Sequence, residues 1–153
     1  MTKAAKASDL EYHIGYWLRF VSNRVSHSFR DRIAARGVTV AEWVALRSLH
    51  NIGPCSLGAL AERMGADMGA VSRIVDRLLR RKLASRAVSR QDRRAVAVDL
   101  SPAGRRLIPA LAREADLNDD AFFRPLSHRD KDHLLRIMKR LVQIHGMTEK
   151  PTE

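Results

Sequence analysis

The sequence predicts a mainly α fold of about six helices with one two-stranded β-hairpin, on three observations. Apolar residues recur at steps of three and four through most of the chain. Two short apolar runs, Leu83–Val88 and Ala95–Leu100, flank a compact charged turn, Ser89–Arg94. A short helix, a glycine turn and a basic amphipathic helix stand directly before that hairpin. Helix, turn, helix and then hairpin is the order of a winged helix-turn-helix.

Each element has a local cause. Ile14, Leu18, Val21, Val25, Phe29 and Ile33 give Asp9–Arg36 an apolar stripe, and Gly37 can stop that helix in the left-handed conformation. Thr39 and Glu42 form a capping box for a second helix, whose stripe is Trp43, Leu46 and Leu49 and whose end is marked by Gly53-Pro54. Ser56 caps a short helix, Leu57–Met64, and Gly65-Ala66 makes the turn. Asp67 caps the helix Met68–Arg81, with Val71, Ile74, Val75 and Leu78 facing inward and Gly69, Arg73, Asp76, Arg77 and Arg80 on the opposite face. Ser101-Pro102 supplies a cap and a first-turn proline for a helix to about Phe122, with a disturbance expected at Pro109. Pro125 breaks the chain. Ser127 and Asp130 form a further capping box, and the last helix runs to about His145, with Gly146 as its stop.

Composition bounds the function. The chain has 153 residues, 45% of them hydrophobic, and suits one domain with an oligomerisation element. No apolar run approaches the roughly 20 residues that span a bilayer, and the N-terminus lacks the apolar core of a secretory signal. A cytoplasmic location is expected, with short frayed tails at 1–8 and Met147–Glu153. One cysteine excludes an intrachain disulfide framework. The formal net charge is +11, and most of it lies between Arg73 and Arg94, where nine basic residues face two acidic ones. Concentrated on one helix and one hairpin, that charge has the form of a phosphate-binding footprint. A merely solvated basic face would not explain the helix–hairpin order.

At this point the residues resemble the MarR family of bacterial transcriptional regulators. The most specific stretch is DRRAVAVDLSPAG, Asp92–Gly104, which is similar to the family's Asp-x-Arg, strand and Leu-Thr-x-x-Gly. Upstream, VTVAEWVALRSL resembles the second helix, and SLGALAERMGADMGAVSRIVDRLLRRKLASR the helix-turn-helix and first wing strand. Ser101 replaces the common threonine, and Ala84 a usual valine or isoleucine. The resemblance covers about Asp9–Gly146. It implies a homodimer in which residues 9–36 and 102–146 intertwine, while 39–100 form the DNA-binding lobe of a single winged-helix chain. It also implies a repressor of a palindromic operator, controlled by a small molecule or by oxidation. The apolar stripes of the first and last helices independently favour a dimer, because one small lobe cannot cover them.

The residues assigned to double-stranded DNA are Asp67, Gly69, Ala70, Ser72, Arg73 and Arg77 on the second helix of the motif, and Arg90, Arg93 and Arg94 at the wing tip. Arginine can fork to guanine or phosphate. Small Gly69 and Ala70 allow close approach to base edges. Asp67 is also a cap, and Ser72 can equally lie at the lobe's edge. Arg94 matches the family's Asp-x-Arg position, and Asp92 orients its neighbours. For an effector, Tyr16, Trp17 and Arg19 on the first helix, beside Tyr12 and His13, are set against Trp43 and Arg47 on the second. Aromatics with an arginine suit an aromatic carboxylate, and core packing explains the two tryptophans equally well.

Two alternatives stand beside this. One is a winged-helix DNA-binding protein without effector control. The other is an enzyme: Pro54-Cys55 resembles the Pro-Cys-His of winged-helix DNA alkyltransferases. Ser56 stands where the activating histidine would be, so no catalysis is expected. Oxidation-sensing MarR-family members carry a cysteine in the first helix, and this chain has none there. The six histidines are dispersed without a tight pair, and neither a metal nor a cofactor is expected.

Overall fold

The computed structural model describes residues 8–88 and 96–152. Six helices and one antiparallel sheet follow the expected order: α1 (Ile14–Ala34), α2 (Val40–Ile52), α3 (Leu57–Met64), α4 (Met68–Arg80), β1 (Ala84–Val88), β2 (Val96–Leu100), α5 (Pro102–Phe123) and α6 (His128–Ile144).

The local caps hold as the sequence implies. Thr39 Oγ1 accepts from the Glu42 N–H at 3.2 Å while Glu42 Oε2 accepts from the Thr39 N–H at 3.0 Å, the complete capping box. Ser56, Asp67 and Ser101 each accept from the backbone N–H three residues on. At Ser127 the box differs, because the Ser127 hydroxyl donates to the Asp130 carboxylate at 2.6 Å. Aspartate is one methylene shorter than the glutamate that normally reaches back to the cap's own N–H.

Three expectations are corrected. The first helix does not start at Asp9: Leu10–Tyr12 form a single 3₁₀ turn, and His13, extended at φ −93° and ψ 121°, separates it from α1. Pro109 does not interrupt α5, which continues from Pro102 to Phe123 with the proline ring on its exposed side. The segment after Gly146 is not frayed up to Thr152, because the Lys150 N–H donates to the Met64 carbonyl at 3.1 Å.

The core sits inside the lobe. Leu46 and Leu49 of α2, Leu60 and Met64 of α3, Val71 and Leu78 of α4 and Leu111 of α5 are fully buried, joined by Ile33 from the end of α1. Each such side chain contributes about 1.5–3 kcal/mol by leaving water. Strand β1 pairs with β2 in a register that sets Ala84 opposite Leu100 and Val88 opposite Val96. Cys55 extends the sheet, since its N–H donates to Val98 O at 3.1 Å and its carbonyl accepts from the Val98 N–H at 2.8 Å. A β-carbon at Gly104 would run into the Leu83 carbonyl, so the first turn of α5 can approach the β1 entry only with glycine there.

Outside the lobe the helices pack differently. The α1–α5 pair is tied by Arg36, whose guanidinium donates to Glu114 at 2.7 Å, and by Asn118 Nδ2, which donates to the Val25 carbonyl at 3.3 Å. Helix α6 is exposed from Leu135 to its end.

Candidate nucleic-acid interface

Helices α3 and α4 meet at Gly65, which takes the left-handed conformation at φ +62°, followed by the Asp67 cap. Asp67 Oδ1 accepts from the Ala70 N–H at 2.9 Å, so its carboxylate is engaged in starting α4. Gly69 is exposed beside it, and a β-carbon there would sit 3.1 Å from that same oxygen. Glycine therefore relieves crowding at the cap as well as leaving the helix start open. Ala70 and Ser72 are half-buried. Arg73, Asp76 and Arg80 are exposed on the outward face, as the helical spacing requires.

Arg77 is placed differently from Arg73. Its Nε lies 3.5 Å from Glu42 Oε1, and its side chain is 41% exposed. Arg81 Nη1 donates to the other oxygen, Oε2, at 3.0 Å. Glu42 is only 3% exposed and serves α2 and α4 at once, capping one and pairing with Arg77 of the other and with Arg81 just past its end. Burial pushes its carboxyl pKa up. The Thr39 N–H, Arg81 and Arg77 outweigh that and hold the group below the ordinary glutamate value. Glu42 was hidden in the sequence because its capping role already accounted for it.

The wing leaves the core through β1 and returns through β2. Arg86 is exposed on β1, and Asp99 of β2 holds the Arg105 guanidinium at 2.7 Å. Arg90, Arg93 and Arg94, together with Asp92, lie outside the described residues. Cys55 lies at the wing's base, where burial and then Asp99 push its thiol pKa up, the opposite of what a nucleophilic thiolate needs.

The five residues expected to line one effector pocket are divided. Trp17 lines an apolar groove of about 390 Å³ with Ile14, Leu18, Val21, Leu134 and Met138. Trp43 lines a neighbouring cavity of about 280 Å³ with Phe29, Val40, Val44, Ser26, which also lines the groove, and, from the C-terminal segment, Lys150 and Pro151. The cause is helix length: Trp17 precedes Phe29 by three turns and more, about 18 Å along α1. Tyr16 stacks edge-on against Trp17 at 5.2 Å, and both approach Phe20. Arg19 and Arg47 are exposed. Phe29 was legible as part of the α1 stripe, and Ser26 was not. Lys150 and Pro151 carried no sequence signal. Among the described residues, no group of three or more His, Cys, Asp or Glu could hold a metal ion, and no helix is long and apolar enough to cross a membrane.

A helix-turn-helix whose second helix presents exposed arginines, backed by an antiparallel hairpin, defines a winged-helix DNA-binding regulator. The MarR family model matches residues 38–96, which run from the start of α2 to the start of β2. The chain is 32% identical to a probable transcriptional regulator from Pseudomonas aeruginosa of known structure, covering 87% of this chain and 99% of that one with a TM-score of 0.75. It is 26% identical to BpsR of Bordetella bronchiseptica, whose DNA binding is regulated by 6-hydroxynicotinic acid, over 88% of this chain and 96% of that one with a TM-score of 0.76. It is 25% identical to the transcriptional repressor NicR of Pseudomonas putida over 88% of this chain and 85% of the relative. The chain belongs to the MarR family of transcriptional regulators.

Proposed function

We propose that this protein is a cytoplasmic, homodimeric repressor that reads a palindromic operator through α4 and the wing and is released by a small aromatic acid. The carrying observation is the outward face of α4. Arg73 and Arg80 stand exposed on a helix whose N-terminus is capped and left open at Gly69 and Ala70. Such a helix fits the major groove, where arginine forks to guanine. In this assignment Asp67 fixes the start of α4, Gly69 and Ala70 give close approach, and Ser72, Arg73 and Arg77 contact bases or phosphate. Arg90, Arg93 and Arg94 follow the flanking backbone or minor groove.

The dimer accounts for apolar surface that a protomer leaves in water. Leu10, Ile14, Trp17 and Phe20 at one end and Leu135, Ile137, Met138, Leu141, Val142 and Ile144 on α6 are all exposed. Contiguous apolar area of this kind marks an interaction face. Helices α1, α5 and α6 would form the dimer region, with residues 39–100 as the lobe.

The effector site is the cavity bounded by Phe29 and Trp43. Two aromatic residues and a serine suit a flat aromatic ring with a polar substituent, and BpsR responds to an aromatic carboxylate. Trp17, Tyr16 and Arg19 then belong to the dimer region, and Arg47 to the outer face of α2. The test is to select bound duplexes from random DNA and titrate the complex with 6-hydroxynicotinic acid and related aromatic carboxylates. Release by at least one acid at saturable concentration supports the proposal. DNA binding indifferent to the whole set would leave a regulator without this effector.

A further inference from the structure

We propose that Met147–Thr152 is a strap that closes the α1–α2 cavity and ties its closure to the turn of the helix-turn-helix. Gly146, at φ +57°, ends α6 and turns the chain back towards the lobe. The strap then docks on the C-terminus of α3. The Lys150 N–H donates to the Met64 carbonyl at 3.1 Å, and the Lys150 ammonium donates to the Arg63 carbonyl. These are the last two residues of α3, whose carbonyls have no partner within the helix. A lysine at that end also meets the negative pole of the helix.

Gly65 makes room for the crossing. A β-carbon there would lie 2.7 Å from Glu149 Cα, so the strap backbone passes where any other residue would project. Immediately afterwards Lys150 and Pro151 form one wall of the cavity, facing Ser26, Phe29, Val40, Trp43 and Val44. One short segment thus contacts both the cavity and the turn that sets α4 against α3. An occupant that displaces the Lys150–Pro151 wall lifts the strap, and lifting it uncaps α3 next to Gly65.

This rests on the effector cavity proposed above, so the test begins with readouts that need no effector. The Trp17→Phe background leaves Trp43 as the sole tryptophan reporter. Removing residues 147–153 from it should raise acrylamide quenching of Trp43 about two-fold, with Lys150→Ala intermediate. In the intact chain the residue-150 amide should exchange at least about ten-fold more slowly than an unstructured amide. Unchanged quenching together with an unprotected amide would overturn the strap. Should the truncated chain melt early, the milder Lys150→Ala variant decides on the same two readouts. A third arm then measures association of 6-hydroxynicotinic acid, which should be faster without the strap. If that acid binds neither form while quenching and exchange behave as expected, the strap stands and only the effector assignment fails.

Discussion

Glu42 and Arg81 join the start of α2 to the end of α4, the Arg81 Nη1 donating to the buried Glu42 Oε2 at 3.0 Å. Arg77 shares the same carboxylate from one turn earlier. The helix assigned to the DNA major groove is therefore held to the lobe through a charge that also caps α2. Val40, Trp43 and Val44 of that first α2 turn line the cavity. A shift of the turn would be felt at both places.

Glu42→Ala should destabilise the protein by about 1–3 kcal/mol at neutral pH, since it removes a cap and leaves two arginines without their acceptor. Urea denaturation of variant and parent measures the difference. The arginines are partly exposed, so the larger cost of a fully buried pair is not expected.

The acidity of Glu42 gives that difference a direction in pH. Its folded pKa is lowered below 4.5, so it binds fewer protons folded than unfolded in the acid range. Its contribution is therefore full above the unfolded value and is lost as pH falls through the folded one. Glu42→Gln should flatten the acid limb below about pH 4.5 relative to the parent. Parallel stability curves for the two proteins from neutral pH to pH 3 would show that the carboxylate is not coupled in this way.

Lys82 is the one non-glycine among the described residues with positive φ, at +57°, where α4 gives way to β1. The Leu83 N–H donates back to Leu78 O at 2.9 Å, closing a turn of the kind that usually holds glycine. Lys82→Gly should raise stability by about 0.5–1 kcal/mol, relief of the side-chain clash exceeding the added chain entropy. A midpoint that falls in urea would locate a stabilising contact for the lysine side chain.

The fold was legible wherever its cause is local. Thr39, Ser56, Asp67 and Ser101 cap within three residues, and the stops at Gly37, Gly53 and Gly65 need only a residue that accepts positive φ. Long-range relations were not legible. Nothing near Lys150 announces Met64, 86 positions earlier, and nothing near Glu42 announces Arg81. Trp17 and Trp43 looked like partners because both are aromatic on adjacent helices, but the length of α1 separates them. The outward face expected for α4 followed from spacing alone, and the attachment of Arg77 to Glu42 did not.

The apolar face of α6 should be the dimer seam. Ile137 and Leu141 are one turn apart and both exposed in the protomer, so glutamate at either leaves the lobe core untouched. The pair Ile137→Glu and Leu141→Glu should weaken self-association by at least about 2 kcal/mol. Sedimentation equilibrium at micromolar concentration reads this as a shift from dimer towards monomer. An unchanged dimer would place the seam elsewhere.

Arg73 and Arg77 should separate by their attachments. Arg73→Ala should cost about 1–3 kcal/mol of operator affinity and leave the melting temperature unchanged. Arg77→Ala should lower both affinity and stability, because Glu42 loses one of its two cations. Arg94→Ala at the wing should weaken binding across many sequences, with any preference confined to AT-rich flanks. Binding and melting measured on one preparation of each variant settle the assignments.

Affinity as a function of salt, for a selected operator and a scrambled duplex side by side, is the most direct measurement of whether α4 and the wing read DNA. If they neutralise roughly six to ten phosphates per dimer, log affinity should fall with log salt by about 0.9 per contact on both duplexes. The operator should remain at least about a thousand-fold tighter throughout, with half-sites roughly 10 bp apart. A flat salt dependence, or equal affinity for the two duplexes, would contradict the assignment of this chain to sequence-specific DNA recognition.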